Sequence, residues 1–489
     1  MDEQTPPPPR WRLRHGLRLV AEPGAQGTRR LVLARGEQRW GLGAFGPAAA
    51  AALLGLASEP AHADALAAAV TADGGGAADV AGVLHVFHRL HALACLMEVL
   101  EDEDGTLHAT REVMLPPVPA ADASMRPDAP VRLSRFAFIA RHEGRAVLES
   151  PWSRWRIGLE SPAAGALVTR LMAETLRTEA LSDPVMRRLL GWLVAAGLAD
   201  AVDGDGLLPE DRDPDRRFWD FHDALHFRRS RSGGHDNPVG ASFPGRGVVG
   251  PLPAVKPPIA HDPADLITLP MPDIAALCRG DPAFQAVVEA RRSHRVRGER
   301  PITLAQLGAF LARTARVITL VPPDDERELY YEASMRPYPS GGAAYEIEIY
   351  LTVHACEGLA RGLYHYDPLH HRLERVGDDG DLIDSLVTVA WQSAARTVRP
   401  QIVIHLAARM RRLMWKYRGL AWSVALKHAG VLYHAFYLAA TVEGLAPCGL
   451  GAGDTELVAR AYGLDPVAES PIGEFMLSSL PRDAEGSPG

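Results

Sequence analysis

The chain has 489 residues, 47% apolar and 23% charged, with a formal net charge of -8. This is the composition of a globular protein of more than one domain, and the acidic balance argues against a nucleic-acid partner. The only cysteines are Cys95, Cys278, Cys356 and Cys448, with no C-x-x-C pair, which speaks against a disulfide framework or zinc knuckle and for a reducing, cytoplasmic setting.

The start, "MDEQTPPPPRWR", has no apolar signal core. No run of about 20 residues is apolar enough to span a bilayer, so no membrane partner is expected.

The first half carries an internal repeat. The segment 31–56, "LVLARGEQRWGLGAFGPAAAAALLGL", aligns without a gap to 146–171, "AVLESPWSRWRIGLESPAAGALVTRL". Val32 meets Val147, Arg39-Trp40 meets Arg154-Trp155, Gly43 meets Gly158 and Pro47 meets Pro162. An alternating strand precedes each copy, "WRLRHGLRLV" and "VRLSRFAFIA", and a helix with a glycine turn follows each. This order predicts two tandem winged-helix-like units, at 1–120 and 121–212. Their helices are alanine-rich and lack a basic stripe, so a peptide-binding or structural role fits them better than DNA binding. The proline-rich stretch 116–130 reads as a linker between them.

A connector is expected at 213–263. His222 and His226 lie four apart there, with Asp223 between them and His235-Asp236 further on. The spacing raises a metal site, but a packed connector explains it better, and no metal is expected.

From 264 to 489 the pattern is mixed. "DPAFQAVVEARRSHR" and "TLAQLGAFLARTARV" read as helices, the second capped by Thr303. "AAYEIEIYLTVH" alternates as a strand, and "GLYHYDPLHHRLERV" reads as a hairpin turning at "DPLHH". The helix "DLIDSLVTVAWQSAART", the strand "QIVIHLAA", a long apolar helix across 420–444 and a last strand, "IGEFMLSSL", follow. The apolar residues of 420–444 lie almost all round, which reads as a buried helix.

Three segments of this half carry chemistry. In "EARRSHRVRG", Arg291, Arg292, Ser293 and Arg295 bunch at a helix end, as an anion clamp would need; a solvated basic helix end explains them as well. In "MRPYPSGGAAYEIEIY", Pro339, Ser340, Gly341 and Gly342 precede a strand, and the glycines allow close backbone approach to a planar ligand. "GLGAGD" follows a helix, the wrong context for a Rossmann turn, and no P-loop is present. In "MWKYRG", Lys416, Tyr417 and Arg418 stand together just ahead of the long apolar helix.

Taken together, R-R-S-x-R, P-S-G-G-A before a strand, G-L-Y-H-Y-D-P, the long helix and G-L-x-x-C-G-L-G resemble the nitroreductase superfamily, and within it the SagB-type azoline oxidases, or thiazole/oxazole-forming peptide dehydrogenases. The resemblance covers nearly the whole chain. It implies an α+β fold with a nitroreductase-like FMN domain, an antiparallel-dominated sheet flanked by helices. It implies FMN as cofactor, with Arg291, Arg292, Ser293 and Arg295 at the phosphate and ribityl chain. Pro339, Ser340, Gly341 and Gly342 would then lie along the ring, with Gly449, Leu450 and Gly451 approaching from the other loop. Lys416 and Tyr417 match the family's catalytic pair. The implied reaction turns thiazolines or oxazolines of a ribosomal precursor peptide into thiazoles or oxazoles, with electrons passed to oxygen. A cyclodehydratase partner and a homodimer are implied as well.

This chain departs from the family pattern at Ser423 and Gly430-Val431, where relatives carry an arginine and a Gly-His. Arg482 is the only late candidate for a second phosphate cation. Two other readings remain open: an NAD(P)H-dependent nitro or quinone reductase, and a non-catalytic peptide-binding scaffold.

Overall fold

The computed structural model describes residues 8–116, 129–260 and 262–481. Most of the expected linker, and Arg482, lie outside them. The chain divides into two units, 1–237 and 238–489, so the expected connector contributes to both.

In the first unit the aligned segments fold alike. The first copy runs β1 (Arg10–Leu13), β2 (Arg18–Pro23), β3 (Arg29–Arg35), β4 (Gln38–Phe45), α1 (Pro47–Gly55), α2 (Ala63–Ala72), α3 (Ala77–Ala92) and β5 (Leu96–Glu101). After β6 (Leu107–Val113), the second runs β7 (Val131–Leu133), β8 (Phe138–His142), β9 (Arg145–Glu149), β10 (Trp155–Leu159), α4 (Pro162–Ala173), α5 (Pro184–Ala195) and β11 (Ala199–Ala201). Pro47 and Pro162 open their helices, where a missing N–H costs nothing. The single expected first strand is broken in two, because Gly16 turns the chain at φ +75°.

Each copy has its own core. Leu31, Leu53, Val83 and Leu90 fill the first; Leu148, Ile157, Leu171 and Leu189 fill the second. The strands form a three-stranded sheet, β2-β3-β4, and a six-stranded one, β1-β5-β6-β10-β9-β8. Arg156 on β10 is fully buried and held by Glu149 at 2.6 Å, Glu112 at 2.9 Å and Asp236 at 2.8 Å. Asp236 also takes Arg14 at 2.7 Å. Its carboxyl, the notional metal ligand of the connector, is therefore a counter-ion of two arginines, which hold it far below the usual carboxylate range despite burial. Among the described residues no group of three His, Cys, Asp or Glu could hold an ion.

The second unit is built on a seven-stranded sheet in which every neighbouring pair is antiparallel. Its strands are β12 (Leu266–Thr268), β13 (Ile347–Val353), β14 (Gly362–Asp367), β15 (Arg372–Gly377), β16 (Ile402–Arg409), β17 (Leu445–Leu450) and β18 (Glu469–Ser479). They lie in the order β12-β15-β14-β13-β16-β18-β17. Among its helices are α6 (Phe284–Ala290), α7 (Leu304–Thr314), α8 (Gly380–Ser393), α9 (Ala421–Val442) and α10 (Thr455–Tyr462). Phe310 of α7 and Leu432 and Phe436 of α9 pack with Ile349, Leu351 and Phe475 of the sheet. On the other face, Leu386 of α8 and Val458 and Tyr462 of α10 pack with Tyr350 and Ala407. Thr303 caps α7 as expected, accepting from Gln306 N while Gln306 Oε1 accepts from Thr303 N.

The long helix α9 differs from expectation. It buries Ala425, His428, Ala429, Leu432, Phe436 and Ala439, a stripe of three- and four-residue steps, while Trp422 and Leu426 stay about two-fifths exposed (42% and 41%). One face packs on the sheet and an apolar remainder is left open. No helix among the described residues is long and apolar enough to cross a membrane.

Candidate active site

The expected glycine turn ahead of β13 is a strongly bent segment. Gly342 (φ +64°), Ala343 (+51°) and Tyr345 (+44°) are all left-handed. Two of these three carry side chains, and such backbone persists only where its surroundings over-determine it. They do so here. Ser340 Oγ accepts from Tyr345 N at 3.0 Å, Gly341 N donates to His428 Nε2 at 2.7 Å, and Tyr331 OH donates to Gly342 O at 2.5 Å. The buried guanidinium of Arg412 donates to Ala344 O, and to Glu332 O at 2.6 Å. Burial, with two neighbouring arginines, brings Arg412 down to about 10.

His428 reaches the turn from α9. Its Nε2 accepts from a backbone N–H, so the ring proton belongs on Nδ1, which faces Glu346 Oε1 at 2.8 Å. Glu346 is fully buried, and this pairing satisfies it.

Lys416 and Tyr417 arrive at the same turn from the end of β16. Trp415 Nε1 donates to Val249 O at 2.7 Å, and Phe243 N donates to Lys416 O at 3.0 Å. Tyr417–Arg418 pairs antiparallel with Gly240–Ala241. So anchored, Lys416 Nζ donates to Tyr331 Oη at 2.7 Å and is ringed by Tyr331, Tyr417 and Phe243, with centroids at 5.1, 5.2 and 5.8 Å. A methyl group on Gly342 would overlap Lys416 Nζ and stand 2.9 Å from Tyr331 Oη and 3.0 Å from Tyr417 Oη. Three polar heads thus converge on one glycine.

The basic segment forms a second cluster. Ser293 Oγ and Gly449 N both meet Tyr437 Oη at 2.8 Å, and the Arg291 guanidinium lies 5.3 Å from the Tyr437 ring. His294 N donates to Pro447 O at 2.8 Å, binding this segment to the start of β17. Arg291, Arg292 and Arg295 have no carboxylate partner among the described residues. Arg292 turns back onto its own backbone, at Glu289 O and Arg291 O. Pro339 is exposed, Gly451 faces open space, and the Leu450 side chain is buried in the core, leaving only its backbone for any ligand. Uncompensated guanidinium groups beside a serine hydroxyl and uncrowded glycine backbone are what a phosphate-bearing cofactor needs, so these residues fit FMN.

Both clusters hang on α9, one through His428 and one through Tyr437. Nine residues at 3.6 per turn put these on opposite sides of the helix, roughly 13 Å apart along it. No hydrogen bond joins the two clusters among the described residues.

Tyr331, His428, Glu346, Arg412 and Tyr437 were not singled out from the sequence. Tyr331 lies in "ELYYEASM", with no spacing that marks it. His428 carried a weak signal, as one of two histidines on a mostly apolar helix.

Residues 288–477 match the model of the nitroreductase family, and residues 131–236 match that of the cyanobactin oxidase ThcOx. A Methanocaldococcus jannaschii protein named as a nitroreductase is 29% identical over 188 residues, 38% of this chain and 85% of that one. The microcin B17-processing protein McbC of Escherichia coli is 29% identical over 204 residues, 39% of this chain and 71% of McbC. A chain of the E. coli microcin synthetase McbBCD complex, solved with truncated pro-MccB17 bound, is similar at 20% identity and a TM-score of 0.33, covering 50% of this chain and 88% of that one.

Proposed function

We propose that this chain, which belongs to the SagB-type azoline oxidases of the nitroreductase superfamily, oxidises thiazoline or oxazoline rings of a ribosomal precursor peptide to thiazoles or oxazoles. It is an oxidoreductase of that superfamily, and FMN is its cofactor. The observation that supports the finer reading most is the convergence of Lys416, Tyr417 and Tyr331 on Gly342.

When bound, FMN supplies a hydride acceptor that oxygen can restore. Aromatising an azoline also removes a carbon-bound proton, and that proton needs a base. Lys416 is the base in this reading. Tyr331 Oη accepts from its nitrogen and aims it at the glycine turn. Tyr417 relays or donates a proton beside the same glycine. Arg291, Ser293 and Arg295 hold the phosphate, and Gly341 and Gly342 admit the ring.

The two clusters stand on opposite sides of α9, so the complete site takes one cluster from each of two copies, and the enzyme is a homodimer. A cyclodehydratase supplies the azoline.

A synthetic thiazoline peptide tests the reading. The wild type is expected to be yellow, to consume oxygen and to remove two hydrogens from the peptide, read by mass. Lys416→Ala is expected to stay yellow and folded while losing about 100- to 10,000-fold in rate. NAD(P)H consumption without any change in peptide mass would favour a small-molecule reductase instead, and a colourless wild type a scaffold.

A further inference from the structure

The glycine loop after β17, residues 451–453, leads to Asp454 at the start of α10. On the α9 side the approach to it is open. Gly449 N meets Tyr437 Oη there, and a Cβ on Gly451 would meet nothing within 4 Å. On the opposite side the loop is held at two points. Ser393 Oγ of α8 donates to Ala452 O at 2.9 Å. Gly453 lies directly on the carboxyl of Glu474: a Cβ there would stand 2.2 Å from the carboxyl carbon and from both oxygens.

Glu474 stands on β18 between His405 of β16 and Leu450 of β17, on the face that α8 and α10 cover. The residue is 8% exposed, and its carboxyl has no hydrogen-bond or ion-pair partner among the described residues. A buried acid left without a partner is costly and calls for a reason. Asp454, at the end of the loop, is the one charged group that acts on it, and Asp454 is fixed there by accepting from Leu457 N at 2.9 Å. The other titratable groups around it are neutral. Burial lowers His405 to about 3, and raises Tyr433 of α9 and Tyr462 of α10 well above the ordinary tyrosine value. Burial and Asp454 push the Glu474 carboxyl up to about 7, so both of its forms are populated near neutral pH.

We propose that Glu474 is a positioning residue for FMN, holding the 451–453 loop in the form that admits the cofactor when it is protonated and displacing the loop when it is ionised. The protonated carboxyl lies against the Gly453 backbone without charge. The carboxylate faces Asp454 and no cation, so it must turn toward water, and the backbone resting on it must give way. Gly451 and Gly453 let the loop change course without side-chain clashes. FMN is therefore held more tightly below pH 7 than above it. The inference rests on FMN as the cofactor and not on which substrate is oxidised.

The test follows release of FMN from the diluted holoenzyme, read by flavin fluorescence from about pH 6 to pH 9. The dissociation constant of the wild type is expected to rise about tenfold or more across this range, with a midpoint near 7. Glu474→Gln keeps a neutral head of the same shape. It should hold FMN as the wild type does at the acidic end and lose the rise. The FMN phosphate takes its second charge at about pH 6, in wild type and variant alike, so it cancels in the comparison. Asp454→Asn keeps the helix cap and removes the facing charge, so the midpoint should fall. Equal pH dependence in wild type and Glu474→Gln, or a midpoint unmoved in Asp454→Asn, would overturn the proposal. Should Glu474→Gln not fold, the Asp454→Asn midpoint decides. FMN release is read without peptide, so failure here leaves the oxidation reading standing, and the reverse.

Discussion

Gly342 has no room for a side chain, because the polar heads of Lys416, Tyr331 and Tyr417 crowd the place a Cβ would take. Gly342→Ala adds the left-handed penalty of about 1–2 kcal/mol and pushes the lysine nitrogen off its tyrosine. The expected result is a melting temperature lowered by a few degrees and a much larger fall in turnover; wild-type turnover would remove this glycine from the site. Tyr331→Phe tests the aim of the lysine. It deletes the acceptor for Nζ and the donor to Gly342 O while keeping the ring. As a positioning residue, Tyr331 should cost about 10- to 100-fold in kcat with KM nearly unchanged and flavin retained. A loss confined to KM would assign it to substrate binding. Lys416 and Tyr417 could be read from the chain because adjacent polar residues ahead of an apolar helix stand out. Tyr331 could not, since 85 residues separate it from the lysine it holds.

The hairpin of β17 and β18 carries a buried acid, Glu474, opposite Leu450. Burial, reinforced by Asp454, pushes its carboxyl from 4.5 up to about 7. The folded chain therefore keeps a proton that the unfolded chain releases. The stability this contributes is complete below pH 4.5, declines as pH rises, and is lost above about 7. Glu474→Gln stays neutral throughout. It should match the wild type near pH 4 to 5 and exceed it at pH 8, by roughly 3 kcal/mol at most. Thermal melts at both pH values check this, and a difference between variant and wild type that ignores pH would sink it. Helix α9 shows how far an element can be read from sequence: its apolar composition and length were legible, but not its faces. Only the sheet decides that His428 points at the glycine turn while Tyr437 points at the basic segment.

At the scale of the molecule, the opposite placement of the two clusters makes a sharp prediction. One inactive chain carries Arg291→Ala and Arg295→Ala, and another carries Lys416→Ala. Unfolded and refolded together in equal amounts, they should regain about a quarter of wild-type activity, because half the dimers are mixed and each mixed dimer holds one intact site. Sites built within one chain would regain nothing. Light scattering should show a dimer, which would cover the apolar side of α9 where Trp422 and Leu426 are open.

By itself the sequence determined the tandem repeat, the helix starts at Pro47, Pro162 and Thr303, the hairpin at "DPLHH", and the motifs around Arg291, Gly341 and Lys416. These depend on periodicity, capping and turn chemistry, which act over a few residues. Tertiary structure alone decided that Asp236 is a counter-ion to Arg156 and Arg14, that His428 and Tyr331 lock a left-handed turn, and that β10 has a partner on its second edge where β4 has none among the described residues. Each of those joins groups far apart in the chain. What a buried charge or a strand edge meets there is set by how whole elements pack, and local pattern carries no record of it.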